Sequence, residues 1–141
     1  MGRTSEAYKQ KKKFCIAIID IDDFKEINDT YGHSIGDFVL RKIGEILGQY
    51  TNNFIIPGRI GGEEFLVIFP DKTLQESKYI LEEIRKKIKK INYGSYKNVT
   101  FSAGIIDVED YKKDKILSKI DTLLYLAKNK GKDKIIDEKF I

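Results

Sequence analysis

The chain has 141 residues but only one cysteine, one histidine and no tryptophan. A single cysteine, Cys15, excludes an internal disulfide and fits a reducing, cytoplasmic compartment; within "FCIAII" it reads as a small buried hydrophobe. No apolar run approaches the roughly 20 residues that a membrane helix needs, and no signal-peptide pattern opens the chain. Internal repeats, linkers and low-complexity stretches are also missing, as is any heptad repeat that would hold a coiled-coil partner.

What is present fits a globular domain. The apolar fraction of 41% and charged fraction of 34% do not favour disorder, and the length suits one domain with a sizeable core. The net charge of +4 raises nucleic acid as a partner. The lysines of "KQKKK", "RKKIKK" and "YKKDK" are mixed with helical periodicity, however, and have no interleaved aromatics on which bases would stack. Solvated faces are the better reading, and no nucleic acid is expected. Met1-Gly2 with a polar stretch behind it reads as the start of a piece of a longer protein carrying regulatory domains. The expected division is an N-terminal helical remnant over 1–13 and one folded domain over 14–141.

Apolar patterning orders the chain. Phe14 to Ile21 is a continuous apolar run that predicts a buried strand. Asp23 with Glu26, and Ser34 with Asp37, are candidate capping boxes for a short helix and a longer one, broken at Gly32. Phe54 to Ile60 and Glu64 to Phe69 predict strands joined through Gly61-Gly62. Thr73 to Ile91 predicts an amphipathic helix, Asn98 to Val108 a strand, Ile116 to Ala127 a helix closed by Gly131, and Lys134 to Ile136 an edge strand. The order gives an α+β fold: a ferredoxin-like or palm-type βαββαβ sheet with helices on one face, plus an extra C-terminal helix and short strand. Right-handed crossovers put the first strand beside the hairpin in mid-sheet.

That topology gathers acidic groups. Strand alternation places Asp20 and Asp22 on one face, and predicts that Glu63 and Glu64 point to opposite sides. One aspartate and one glutamate could then share a cation. Oxygen ligands from few side chains fit magnesium, which keeps waters and takes substrate phosphates, and two such ions would steer an in-line displacement at phosphorus. The helix beginning near Phe24 offers free N–H groups to phosphates. Each feature also has a plainer reading: Gly61-Gly62 as a turn only, Asp23 as a cap only, and "DID" as a strand end.

"IDIDDFKEINDTYGHSIGD", "RIGGEEF", "VTFSAGI" and "IDTLLYLAKNKGKDK" together resemble the GGDEF family, the diguanylate cyclases, in a GGEEF form. The resemblance spans Phe14 to Ile136 and implies a fold similar to class III nucleotidyl cyclases. It also implies condensation of two GTP into cyclic di-GMP and pyrophosphate across a transient homodimer. By the same resemblance Asp20 and Glu63, with the Ile21 carbonyl, would hold two Mg2+ (or Mn2+) ions, and Glu64 would handle or orient the 3′-hydroxyl. Asp23, Phe24, Lys25, Gly61, Gly62, Lys128 and Lys132 would serve the phosphates, while Asn28 and Asp37 would read guanine. A carboxylate suits guanine because it accepts from N1–H and the 2-amino group. His33 is read as structural, packed or hydrogen-bonded; Arg59 is either a surface charge or part of the hairpin.

Three departures stand out. Asn52 and Ile55 replace the charges of the RxxD inhibitory motif, so no inhibitory site is expected. "GKD" replaces "GRN", so Lys132 keeps the charge without the bidentate fork. Of the upstream "LTGLxNR" segment only Gly2-Arg3 could be a remnant. Two other functions compete: a non-catalytic GTP-binding sensor module and a nucleic-acid-binding palm.

Overall fold

The computed structural model describes residues 13–52, 54–94 and 98–140; the expected remnant over 1–13, with Gly2-Arg3, thus falls almost wholly outside them. The elements run β1 (Phe14–Ile21), α1 (Phe24–Tyr31), α2 (His33–Gly48), β2 (Ile56–Arg59), β3 (Glu64–Pro70), α3 (Leu74–Lys90), β4 (Phe101–Asp107), α4 (Ile116–Asn129) and β5 (Lys134–Asp137). The strand order is β2-β3-β1-β4-β5, with β5 parallel to β4 and the other pairs antiparallel. As the crossover argument requires, β1 lies mid-sheet beside the hairpin.

Helices cover both faces of the sheet, not one. Cys15, Ala17, Ile19 and Ile21 pack on one side with Phe24, Ile27, Val39, Ile43, Leu81 and Ile84 from α1, α2 and α3. Ile18, Ile106 and Ile136 pack on the other with Ile120, Leu123, Leu124 and Ala127 of α4. A central strand that reads as an unbroken apolar run is apolar on both sides, and each side needs a cover. Gly104 permits the second cover. A Cβ there would come within 2.6 Å of the Ile120 carbonyl and 2.8 Å of Leu123 Cβ, so α4 reaches β4 only because that side chain is missing.

Neither proposed capping box forms. Asp23 adopts φ 57° and makes no side-chain cap, and α2 starts at His33, ahead of Ser34, behind Gly32 at φ 91°. An N-cap side chain reaches its N–H from an extended backbone, which neither site provides. The box that does form belongs to α3. Thr73 Oγ1 accepts from Glu76 N–H at 3.1 Å, and Glu76 Oε1 accepts from Thr73 N–H at 2.9 Å. The strand predicted from Phe54 begins only at Ile56, because the N–H groups of Phe54 and Ile55 are still held in the turn after α2, donating to the Tyr50 carbonyl at 3.1 and 3.2 Å. Among the described residues no helix is long and apolar enough to cross a membrane.

Candidate functional site

The C-terminal end of β1 is clamped on two sides. Ile21 N–H donates to the Glu63 carbonyl at 3.2 Å, tying down the hairpin turn, and Asp22 N–H donates to the Thr100 carbonyl at 2.9 Å. Asp20 stands directly opposite Glu64 in the β1–β3 ladder. Glu63 lies in the turn that precedes β3, so strand alternation does not govern it. Alternation thus gives no ground for the expected divergence of the two glutamates, and both feel the Asp20 charge.

The electrostatics record that crowding. Burial raises the Glu64 carboxyl above the ordinary carboxylate value, and Asp20, through charge and a shared hydrogen bond, raises it further, with Asp121 and Glu63 adding to the effect. Glu63 is raised by burial and then by Asp20, while Lys128 partly offsets both. Like charges this close disfavour ionisation, and a cation relieves the strain. Lys128 supplies one: its Nζ reaches in from α4 to 2.8 Å from Asp22 Oδ1 and 3.1 Å from Asp20 Oδ1. It also lies 3.4 Å from the carbonyl oxygens of Asp20 and Ile21.

A divalent metal suits this oxygen-only set. Among the described residues no three acidic, histidine or cysteine side chains converge to hold an ion by themselves. A magnesium ion here would complete its shell with water and phosphate, which is its usual habit. The donors fit such an ion: Asp20, Glu63 and the Ile21 carbonyl that already faces an ammonium.

The hairpin glycines have neither of the left-handed backbones that a two-residue turn demands, since positive φ among glycines occurs at Gly32, Gly94 and Gly131. The loop runs over Ile60 to Glu63 instead. A Cβ at Gly62 would meet nothing within 4 Å, whereas one at Gly61 would press on Glu64 Oε1 at 3.1 Å. Space beside backbone is what a phosphate needs to come close. Arg59 belongs to the hairpin: its Nε and an Nη donate to the carbonyls of Gly61 at 3.2 Å and Gly62 at 2.7 Å.

The other expected residues fall on two sides of this centre. The first-turn N–H groups of α1 precede the first helical bond, from Ile27 N–H to the Asp23 carbonyl. Phe24 is buried while Lys25 is exposed. Lys132 pairs with Asp23 across that turn, which raises its pKa through the hydrogen bond and charge of Asp23. Asp23 is thus an ion-pair partner, not a cap. Asn28 presses against Gly36, where a Cβ would lie 1.8 Å from Asn28 Oδ1, so Asn28 is brought beside the neighbour of Asp37. Asp37, Leu40, Arg41, Gly44, Arg59 and Phe65 line an open pocket of about 400 Å³ between α2 and the hairpin. His33 is exposed at the start of α2 rather than packed. A larger pocket, about 490 Å³ and lined by Tyr50, Phe54, Tyr79, Ile80 and Glu83 among others, contains none of Asp20, Asp22, Glu63 and Glu64.

Sequence reasoning left Asp22 as one of two strand-end aspartates, one of which could share a cation, and gave it no other role. It is 2% exposed and accepts from Thr100, Ser102, Lys128 and the Asp133 backbone. Burial pushes its pKa up, but those hydrogen bonds outweigh the effect and hold it below the ordinary value. Alternation pointed to its face, but nothing local revealed its partners.

A protein-family model described as "Diguanylate cyclase, GGDEF domain" matches residues 3–134. Diguanylate cyclase A of Treponema denticola is 38% identical over 134 residues, which is 90% of this chain and 36% of that protein. The chain therefore spans little more than a third of that relative's length. The GGDEF domain of DgcB from Caulobacter crescentus, solved in complex with c-di-GMP, superposes with a TM-score of 0.83 at 29% identity, covering 96% of this chain and 84% of that one. The active GGEEF domain of a diguanylate cyclase from Vibrio cholerae gives 0.85 at 26% identity, covering 96% and 89%. Carboxylates gathered at the end of β1, on a sheet shared with these structures and a family match over most of its length, mark this chain as a member of the GGDEF family of diguanylate cyclase domains.

Proposed function

We propose that the domain is an active diguanylate cyclase that condenses two GTP into cyclic di-GMP and pyrophosphate across a transient homodimer. The observation that carries this reading is the grouping of Asp20, Glu63 and Glu64 at one strand end, facing Lys128. In each half-reaction the 3′-oxygen of one GTP forms a bond to the α-phosphorus of the other, and the bond to pyrophosphate breaks. Glu64, a stronger base than an ordinary carboxylate because burial and Asp20 raise its pKa, orients that hydroxyl and takes its proton.

Asp20, Glu63 and the Ile21 carbonyl would hold two Mg2+ or Mn2+ ions, which when bound neutralise charge on the phosphates and acidify the 3′-hydroxyl. Lys128 and Lys132 bind the β- and γ-phosphates with the first-turn N–H groups of α1 near Asp23, Phe24 and Lys25, as the backbone of Gly61 and Gly62 approaches the chain of phosphates. Asn28 and Asp37 hold guanine at the mouth of the pocket behind Arg59. Adenine lacks the N1–H and 2-amino donors, so ATP would leave the Asp37 carboxylate and the Asn28 side chain without the partners that guanine supplies and should bind more weakly. Asn52 is exposed and Ile55 buried, so the surface they occupy offers product no charged grip.

A non-catalytic GTP-binding module is the second reading, favoured by one observation: both phosphate-side lysines are already ion-paired, Lys128 with Asp20 and Asp22 and Lys132 with Asp23. Incubation with GTP and magnesium, with products separated chromatographically, tests the two. Cyclic di-GMP and pyrophosphate support the cyclase; bound but unchanged GTP supports the module.

A further inference from the structure

Asp22 sits one residue beyond Ile21 and has the look of a third metal carboxylate. Its contacts leave no room for that. A carboxylate offers about four acceptor positions on two oxygens, and all are in use. Oδ1 accepts from Ser102 Oγ at 2.7 Å and Lys128 Nζ at 2.8 Å, while Oδ2 accepts from Thr100 Oγ1 at 2.7 Å and Asp133 N–H at 2.9 Å. The donors come from β4 and its approach, from α4, and from the turn before β5. The group is buried and faces protein on every side.

The turn it holds is strained. Gly131, Lys132 and Asp133 follow one another at φ 115°, 63° and 51°, a left-handed run that costs energy at the two non-glycine residues. Such a backbone persists only where its surroundings over-determine it. Here Asp22 takes the Asp133 N–H, Arg85 and Lys89 of α3 take the Asp133 carboxylate, and Asp23 takes Lys132. The same Asp22 oxygens thus fix the ammonium of Lys128 and the backbone that presents Lys132.

We propose that Asp22 is a positioning residue: its buried carboxylate holds Lys128 and the left-handed turn bearing Lys132 toward the triphosphate, and ligates no metal. The assignment rests on the cyclase reading for what the lysines grip, while the anchoring itself is independent of any ligand. A ligand that engages the lysines should feel the loss of Asp22, whereas one held by guanine should not.

The test compares the wild type with Asp22→Asn, Lys128→Met and the double variant. Binding of a non-hydrolysable GTP analogue and of GMP, each with magnesium, is measured by calorimetry, and exchange of the Asp133 amide is followed by NMR without nucleotide. Asp22→Asn should weaken the analogue about tenfold, much as Lys128→Met does, since a charge-assisted contact is lost in both. GMP affinity should hold, the double variant should be no worse than either single one, and the Asp133 amide should lose protection. Additive losses would make Asp22 and Lys128 independent. Equal losses for analogue and GMP would reduce Asp22 to a general prop. A raised magnesium requirement with Lys128 uncoupled would make it a ligand, and any of the three overturns the proposal. If wild type binds neither nucleotide, the cyclase reading fails by itself; the amide then decides the anchor, which falls if protection is the same in both proteins. Should Asp22→Asn not fold, Thr100→Val/Ser102→Ala keeps the carboxylate but removes the hydroxyls that aim it. That variant should weaken the analogue about threefold with GMP unchanged, and unchanged analogue binding overturns the proposal.

Discussion

Two glutamates beside one aspartate would be a poor arrangement in a protein that asked nothing of them. Asp20 faces Glu64 across the ladder, and burial with that charge raises both glutamates above the ordinary value of 4.5. A raised carboxylate binds its proton more readily folded than unfolded. Its penalty to stability is therefore absent below the unfolded pKa, grows as pH rises toward the folded value, and is full above it. Asp22 runs the other way: held low, its contribution is complete above its unfolded value of 3.8 and lost as pH falls through the folded one. Metal-free protein should thus lose stability in urea unfolding as pH rises from the ordinary carboxylate value of 4.5 through the raised folded values, with Glu64→Gln or added magnesium flattening the slope. A metal-free protein that gains stability over that range contradicts the charge assignment. Asp20→Ala and Glu63→Ala test the chemistry at the same scale. Each should lower cyclic di-GMP formation by about a thousandfold or more, because charge on the transferring phosphoryl goes uncompensated, while circular dichroism stays that of the wild type. Product formed at the wild-type rate by either folded variant removes these carboxylates from the mechanism.

Elements position the groups through close approach. Helix α4 brings Lys128 over the end of β1 because Gly104 lets it sit against β4. Gly104→Ala should cost about 1–3 kcal/mol of stability, since a methyl is forced into backbone, and should also reduce turnover as Lys128 is lifted. Thr73→Ala is the matched control: loss of the α3 capping box should cost about 1 kcal/mol and leave turnover per folded molecule unchanged. If the two variants lose activity in proportion to stability, α4 has no special part in the site. The α1–α2 junction makes the corresponding case for the base. Gly36→Ala would drive a Cβ onto Asn28 Oδ1, so GTP affinity should fall by calorimetry, and unchanged GTP affinity would detach Asn28 from guanine.

At the scale of the whole molecule the proposed reaction would need two copies. In that proposal each site presents one GTP, and a two-fold symmetric product would call for an identical site facing it, the closed symmetry commonest among homo-oligomers. The sequence has no heptad repeat to hold the pair. Specific activity should therefore rise with protein concentration, and an N-terminal leucine zipper should raise it by increasing effective concentration. Activity per molecule that stays flat across a hundredfold dilution, with light scattering reporting a monomer, would remove the dimer from the mechanism.

Much of this protein was legible without coordinates. The unbroken apolar run of β1, the helical spacing of α3 and α4, and the glycine hairpin are local patterns, and short-range physics places them. The family motifs also supplied the expectations for Asp20, Glu63, Asn28, Asp37 and Lys128, of which the fold brings Asp20, Glu63 and Lys128 to one strand end. Tertiary structure decided what depends on distant partners. Asp23 turned from a cap into a partner of Lys132, 109 residues away, and Glu63 and Glu64 were both brought to bear on Asp20 because one of them stands in the turn. Helices closed over both faces of the sheet. Asp22 gained its partners only when β4, α4 and the turn before β5 met at the end of β1, for a hydrogen bond is set by where the chain returns in space, and residue order alone carries no record of that return.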